Sequence, residues 1–420
     1  MLDMQKRLSN SFYAIIALPS TAMGFALCIQ ISALSWLLST KYKLDIHEIG
    51  IVWAAGPLAG ILGQVLIGFI SDKTWLWGGR RRPFILVGGA LAALMVFLLP
   101  RIDVVSQLLG IGNLLVVAVI VALTLDLSIN IGFNPTRSLI ADVTPDGAPR
   151  TRGYTWMQTI SGFWGVMAYL IGAFIDNYAL ISIGVLVVLA FSVVPMFFVE
   201  EPRALTVKTD SAEATATEWG QLWRIYFAHG FSWIGVQAMF VYIIAFIQQH
   251  IVPGGAPEQS GHVISISFAV MNVVGFLMPA LVLAPIALRI GRVHTQMACV
   301  AVMAAAYFTI AFAARTPVVL YALMAVVGIG WAAIVSLPFA IMSEKVDKSR
   351  MGYFMGIFNL SVVLPQLLST GVGYVLRDAA DKSVLFMICG TCLSVSAVLW
   401  YFVGEPHAAV ACRSRAGGIK

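Results

Sequence analysis

Residues 109–142 read LGIGNLLVVAVIVALTLDLSINIGFNPTRSLIAD, and within that run one carboxylate, Asp126, stands among apolar side chains. No other ionisable residue occurs from Val104 to Thr136. Crossing a bilayer takes roughly 20 predominantly apolar residues, and this stretch exceeds that. Its hydrophobic residues do not alternate, so it is not a strand. In lipid every backbone N–H and C=O must be paired within the chain, which makes the run a helix.

The rest of the chain repeats this pattern. Of 420 residues, 60% are hydrophobic and 11% charged; a soluble domain has roughly 45–50% and about 25%. A soluble enzyme of this size cannot hide so much apolar surface. Charges and turn residues cut the sequence into twelve expected spans, near 12–39, 49–71, 83–100, 109–140, 153–175, 178–199, 223–249, 262–287, 293–314, 317–343, 351–376 and 383–404. The predicted fold class is an all-α membrane protein.

The net charge of +6 does not point to nucleic acid, because the basic residues sit in short loops between apolar runs. Assigned to the two sides of the membrane, 20 of the 26 basic residues fall on the side of the N-terminus, the even-to-odd loops and the C-terminus. Positive loops face the cytoplasm, so both termini are expected there, in a multi-pass protein of the inner membrane. No cleavable signal peptide is apparent: residues 1–10 are charged, and the first apolar run is too long for a signal core. Cys389-x-x-Cys392 has redox spacing but lies within an apolar run with no second pair, which reads as packing. No Walker loop and no HExxH motif occurs; no metal or cofactor is expected, and a pump or metalloenzyme is disfavoured.

The chain also repeats itself. Phe197-Phe198-Val199-Glu200-Glu201-Pro202 returns 204 residues later as Tyr401-Phe402-Val403-Gly404-Glu405-Pro406. Arg152-Gly153-Tyr154 matches Met351-Gly352-Tyr353, and Pro135 matches Pro338. The expected organisation is a six-helix bundle over 1–202, a polar linker over 203–222 and a second bundle over 223–420. Parallel repeats of this kind place a substrate between two halves near mid-membrane.

Two motifs carry a family resemblance. After the second span come Gly68-Phe-Ile-Ser-Asp72-Lys73 and Gly79-Arg80-Arg81-Arg82-Pro83-Phe84. This resembles the loop signature of the major facilitator superfamily, with four extra residues before the glycine. That spacing, followed by RRRPF, is similar to the sucrose-transporter branch and its bacterial relatives. The fourth span, Asp126-Leu-Ser-Ile-Asn130-Ile-Gly-Phe-Asn134-Pro135-Thr-Arg137 through Asp142, follows the same branch with Ile129 and Asn134 as departures. Gly356-Ile-Phe-Asn359, Pro365-Gln366 and the Gly330-Trp331 to Ala340 stretch are similar to it too. In the second half Leu288 occupies the position of Asp72, so a loop latch there is expected to be weaker.

The residues themselves nominate a site. A charge near the centre of a membrane helix costs several kcal/mol and faces a protein interior or cavity. An apolar setting favours the protonated acid, so Asp126 is the candidate proton-coupling group; the resemblance implies the same role, against the alternative of a structural carboxylate. Arg137 lies about three turns on, roughly 16 Å along a straight helix, with Asn130 and Asn134 on the same face. It is too far to pair with Asp126. Gating, substrate contact and a structural pairing, for example with Asp142, all stay open for it. Gln30, Asn130, Asn134, Gln158, Gln237 and Asn359 are candidate substrate-binding amides, against helix-to-helix bonding. Trp331, with Trp156, Trp233 and Tyr242, is a candidate stacking face for a sugar, against packing or an interface belt. His229 could join a proton relay but reads as packing. By resemblance, Asp72 with the Arg80, Arg81 and Arg82 run forms a gating latch on the cytoplasmic side, against a role in topology alone; Arg137 and Asp142 are further gating candidates.

The expected function is proton-coupled symport of a sugar, a glucoside such as sucrose or maltose. Its partners would be the sugar, H+ as coupling ion and the bilayer, with no nucleic acid, and the protein is expected to be a monomer. An antiporter or uniporter of another solute on the same fold and a non-transporting sugar sensor are the alternatives; the short segments outside the spans disfavour the sensor.

Overall fold

The structure is a computed structural model, and it describes residues 3–60, 70–71, 74–145, 148–203, 217–346 and 351–405. These residues are almost wholly helical, and among them there is no strand, only an isolated bridge between Leu76 and Gly79. Eleven helices are long and apolar enough to cross a membrane among the described residues. They are α1 (Asn10–Thr40), α3 (Arg82–Leu109), α4 (Leu114–Val143), α5 (Arg152–Phe174), α6 (Asn177–Phe197), α7 (Trp219–Ile251), α8 (Pro257–Met278), α9 (Arg292–Ala313), α10 (Pro317–Ser343), α11 (Ile357–Asp378) and α12 (Val384–Tyr401). The expected second span, 49–71, overlaps α2 (Ile46–Trp53), which starts three residues earlier, and takes in helical residues at 55–60 and 70–71; 61–69 lie outside the described residues.

Local chemistry sets the ends. α2 opens on a capping box, in which Glu48 Oε2 accepts from the Asp45 backbone N–H at 2.8 Å. The fourth helix begins later than residue 109. Gly110 takes the left-handed conformation (φ +64°) that closes α3, and Asn113 then caps α4 by accepting from Leu115 and Val116. A side chain is rarely tolerated at that φ, whereas glycine adopts it freely. The third span runs on past Pro100 as a 3-10 turn, Leu99–Arg101, because proline at the start of a turn sacrifices no helical bond.

Two compact units divide the chain: Met1–Lys208 with Ala256–Ile266, and Thr209–Gly255 with Ser267–Lys420. In the first, Trp36 donates to Pro257 O at 2.7 Å, and the Ser32 and Ser265 hydroxyls lie 2.9 Å apart. Its core includes Phe12, Tyr13, Ile16, Ile85, Leu139 and Ile140. The second has its own apolar core around Leu222, Ile225, Ile341, Phe354 and Trp400. α7 begins at Trp219, inside the stretch expected as linker.

Candidate functional site

In the first unit the site is built on α1, α4 and the helical stretch after α2. Asp126 sits in the thirteenth position of the 30-residue α4 and is 5% exposed. Its Oδ2 accepts from Gln30 Nε2 at 2.9 Å. Gln30 opens a widened π-turn, Gln30–Leu34, within α1. Such turns are rare and occur often at functional sites; here one sits where the amide meets the carboxyl. On another side stands Gly56, where an added Cβ would lie 3.2 Å from both carboxylate oxygens. No cation among the described residues forms an ion pair with Asp126.

The rest of the α4 stripe divides by role. Asn130 Nδ2 donates to the Asp126 backbone carbonyl at 2.8 Å. Three turns beyond Asp126, a cavity of about 320 Å³ is lined by Arg81, Asn134, Arg137, Asp142, Tyr154 and their neighbours. Arg137 is exposed into it; its guanidinium lies 4.8 Å from the Phe133 ring centroid, and its backbone carbonyl accepts from Tyr154 Oη at 3.2 Å. The Arg137–Asp142 pairing considered from the sequence does not form. Arg81 takes Asp142 instead, Nε to Oδ2 at 2.9 Å, and also donates to Ser71 Oγ at 2.8 Å. Arg81 reaches in from the loop and satisfies the carboxylate from the other side. Asp72 lies outside the described residues.

The loop arginines are held by a group the sequence reading did not assign. Glu201 accepts from the backbone N–H groups of Arg80 and Arg81 at 2.7 Å and of Arg82 at 2.8 Å. Arg82 in turn donates to Met196 O and Val199 O. A carboxylate at a helix start satisfies orphan donors and meets the positive end of the helix dipole. In the second unit Glu405 does the same for Arg292, Val293 and His294 at the start of α9, at 3.1–3.2 Å. The sequence signal was present: both residues precede proline in the repeated segment.

The second unit collects other candidates on α7, α10 and α11. Gln237, 5% exposed, accepts from Gln366 Nε2 at 3.2 Å. Trp331 meets Trp233 and Phe240 edge-on, with centroids 5.9 and 5.4 Å away. Gly275 makes room for it, since a Cβ there would come within 2.7 Å of the indole. Asn359 is half-buried, and its amide bonds no described residue. His229 is buried, accepts from Trp233 Nε1 at 2.9 Å and stacks on Phe358. Tyr242 is fully buried and donates its hydroxyl to Thr370 O, so it offers no free face to a sugar. Trp156 packs against the first unit's core. Gln158 is exposed on α5.

Known proteins resolve the family. The sequence profile of the Major Facilitator Superfamily matches residues 14–370 and 254–419. The chain belongs to that superfamily of membrane transporters. It is 25% identical over 420 residues to the sucrose transport protein SUT2 of Oryza sativa subsp. indica, covering 81% of this chain and 83% of that protein. It is 31% identical over 172 residues to the general alpha-glucoside permease of Schizosaccharomyces pombe, a match spanning 39% of this chain and only 31% of the permease. The fold is shared with a crystal structure of a D-xylose-proton symporter, at a TM-score of 0.72 and 15% identity, covering 94% and 98% of the two chains. The superfamily reading of the loop and α4 motifs is thereby confirmed, and the chain is a transporter family member rather than an enzyme.

Proposed function

We propose that the chain is a proton-coupled sugar symporter that imports a glucoside such as sucrose or maltose by alternating access. One observation carries the reading. A buried carboxyl in the middle of α4 is held by a neutral amide, Gln30, with no described cation to neutralise it. A bare charge crossing an occluded state is costly, and a proton removes that cost. Gln30 suits either state: its amide nitrogen donates to the carboxylate, and its carbonyl oxygen can accept from the acid. The sugar would bind the amides of α4, Gln237 and Asn359 and stack on Trp331. Arg81, Asp142 and Glu201 would hold the loop after the second span in one of the two conformations. The names of the rice and yeast relatives support the substrate class. The protein would sit in the cell membrane as a monomer with both termini in the cytoplasm.

The two protonation states of one carboxyl bias two conformations, the minimum that coupling requires. The test is uptake of labelled sucrose and maltose into proteoliposomes, with and without an inward proton gradient. Asp126→Asn should abolish gradient-driven accumulation while leaving sugar exchange. Accumulation that persists in the variant places coupling elsewhere. Indifference of the wild type to a protonophore makes the protein a uniporter.

A further inference from the structure

The start of α7 and the end of α12 enclose a groove of about 380 Å³ lined by Trp223, Arg224, Phe227, Phe231, Leu399 and Phe402. None of this belongs to the site around Asp126. Its mouth lies at a belt of exposed aromatics, Trp219, Trp223, Tyr401 and Phe402. Trp and Tyr collect at the level of lipid headgroups. Both helix ends lie on the side that holds most of the basic residues.

The lining is graded along the helix axis. Arg224 stands at the belt, where Nη1 donates to Phe402 O at 2.8 Å. That bond fixes the guanidinium at the mouth and leaves further N–H donors free of any carboxylate among the described residues. Phe227, 61% exposed, lies about 4.5 Å deeper and Phe231 about 10 Å deeper, at 1.5 Å per residue. A cation at headgroup depth above an apolar wall matches the two parts of a phospholipid. A guanidinium fork suits phosphate, and the cytoplasmic leaflet is the one rich in anionic lipids. The chain's own residues 407–420 are a poor complement, since they carry Arg413, Arg415 and Lys420 and no acidic side chain.

We propose that this groove binds one anionic glycerophospholipid, its phosphate on Arg224 and an acyl chain along Phe227 and Phe231. The test is native mass spectrometry of the purified full-length protein with added phosphatidylglycerol or phosphatidylcholine. The wild type should retain phosphatidylglycerol at least tenfold more tightly than phosphatidylcholine. Arg224→Gln should remove that preference, Arg224→Lys should keep most of it, and Arg101→Gln, at the other membrane face, should leave it unchanged. Equal retention of the two lipids by the wild type, or unchanged preference in Arg224→Gln, overturns the proposal. So does failure to retain either lipid, which would mean that the protein's own chain covers the groove.

Discussion

Glu201 and Glu405, 204 residues apart, each close a loop by accepting the first backbone N–H groups of a membrane helix, α3 in one unit and α9 in the other. Both glutamates precede a proline that cannot continue the helix behind them. A glycine stands against each carboxylate, Gly79 and Gly291, where a side chain would collide with it. The two units therefore share one capping device. The halves differ in strength. Glu201 bonds are 2.7–2.8 Å long and Glu405 bonds to the same kind of donor are 3.1–3.2 Å; the first unit adds the buried Arg81–Asp142 pair, the second the more exposed Arg292–Glu344 and His294–Glu405 pairs.

Removing the first cap should cost more than removing the second. Glu201→Ala strands three N–H donors, and charge-assisted bonds of this kind contribute about 1.5–3 kcal/mol. Glu405→Ala removes longer backbone bonds together with the 2.8 Å contact to His294 Nδ1 and should cost about 1 kcal/mol. Thermal unfolding of the two variants in detergent checks the order; a larger loss for Glu405→Ala refutes it.

The amide beside Asp126 should matter to turnover more than to folding. Gln30→Leu leaves the carboxyl buried without its donor, and a hydrogen bond to a charged group contributes about 1.5–3 kcal/mol. Gradient-driven uptake should fall roughly tenfold or more. Gly56→Ala places a methyl 3.2 Å from both oxygens and should act in the same direction, because neighbours must shift to admit it. Uptake at wild-type rates in both variants would show that neither residue positions the carboxyl.

The sequence carried these parts unequally. Asp126 was legible because an acid in a long apolar run has few explanations. The helices were legible because lipid admits only helices and closed barrels, and the apolar runs are too long and too uniform for barrel strands. Gln30 was visible as an intramembrane amide, but its partner 96 residues away was not. Arg137 and Asp142, five residues apart on one helix, invited pairing; the competing cation came from Arg81, 61 residues earlier. Tyr242 looked like a free aromatic until its hydroxyl was found on Thr370 O. Periodicity reports which residues share a face of one helix, and it is silent on what another helix brings to that face.

A loop outside the spans gives the pH dependence. Asp381 accepts from the Ser383 N–H at 2.8 Å and contacts His250 Nε2 at 2.8 Å. The Ser383 amide, with a smaller contribution from His250, holds its carboxyl below the usual carboxylate range. A carboxyl with a depressed folded-state pKa stabilises the fold above its unfolded value, near 3.9, and that stabilisation disappears as pH falls through the folded value. Asp381 is largely exposed, so screening keeps the effect small, on the order of a degree in Tm. Asp381→Asn should melt slightly lower than wild type from about pH 7 to 5, with the two curves merging below about pH 4. A gap that widens on acidification would mean that the carboxyl is bound more tightly as the acid than as the anion.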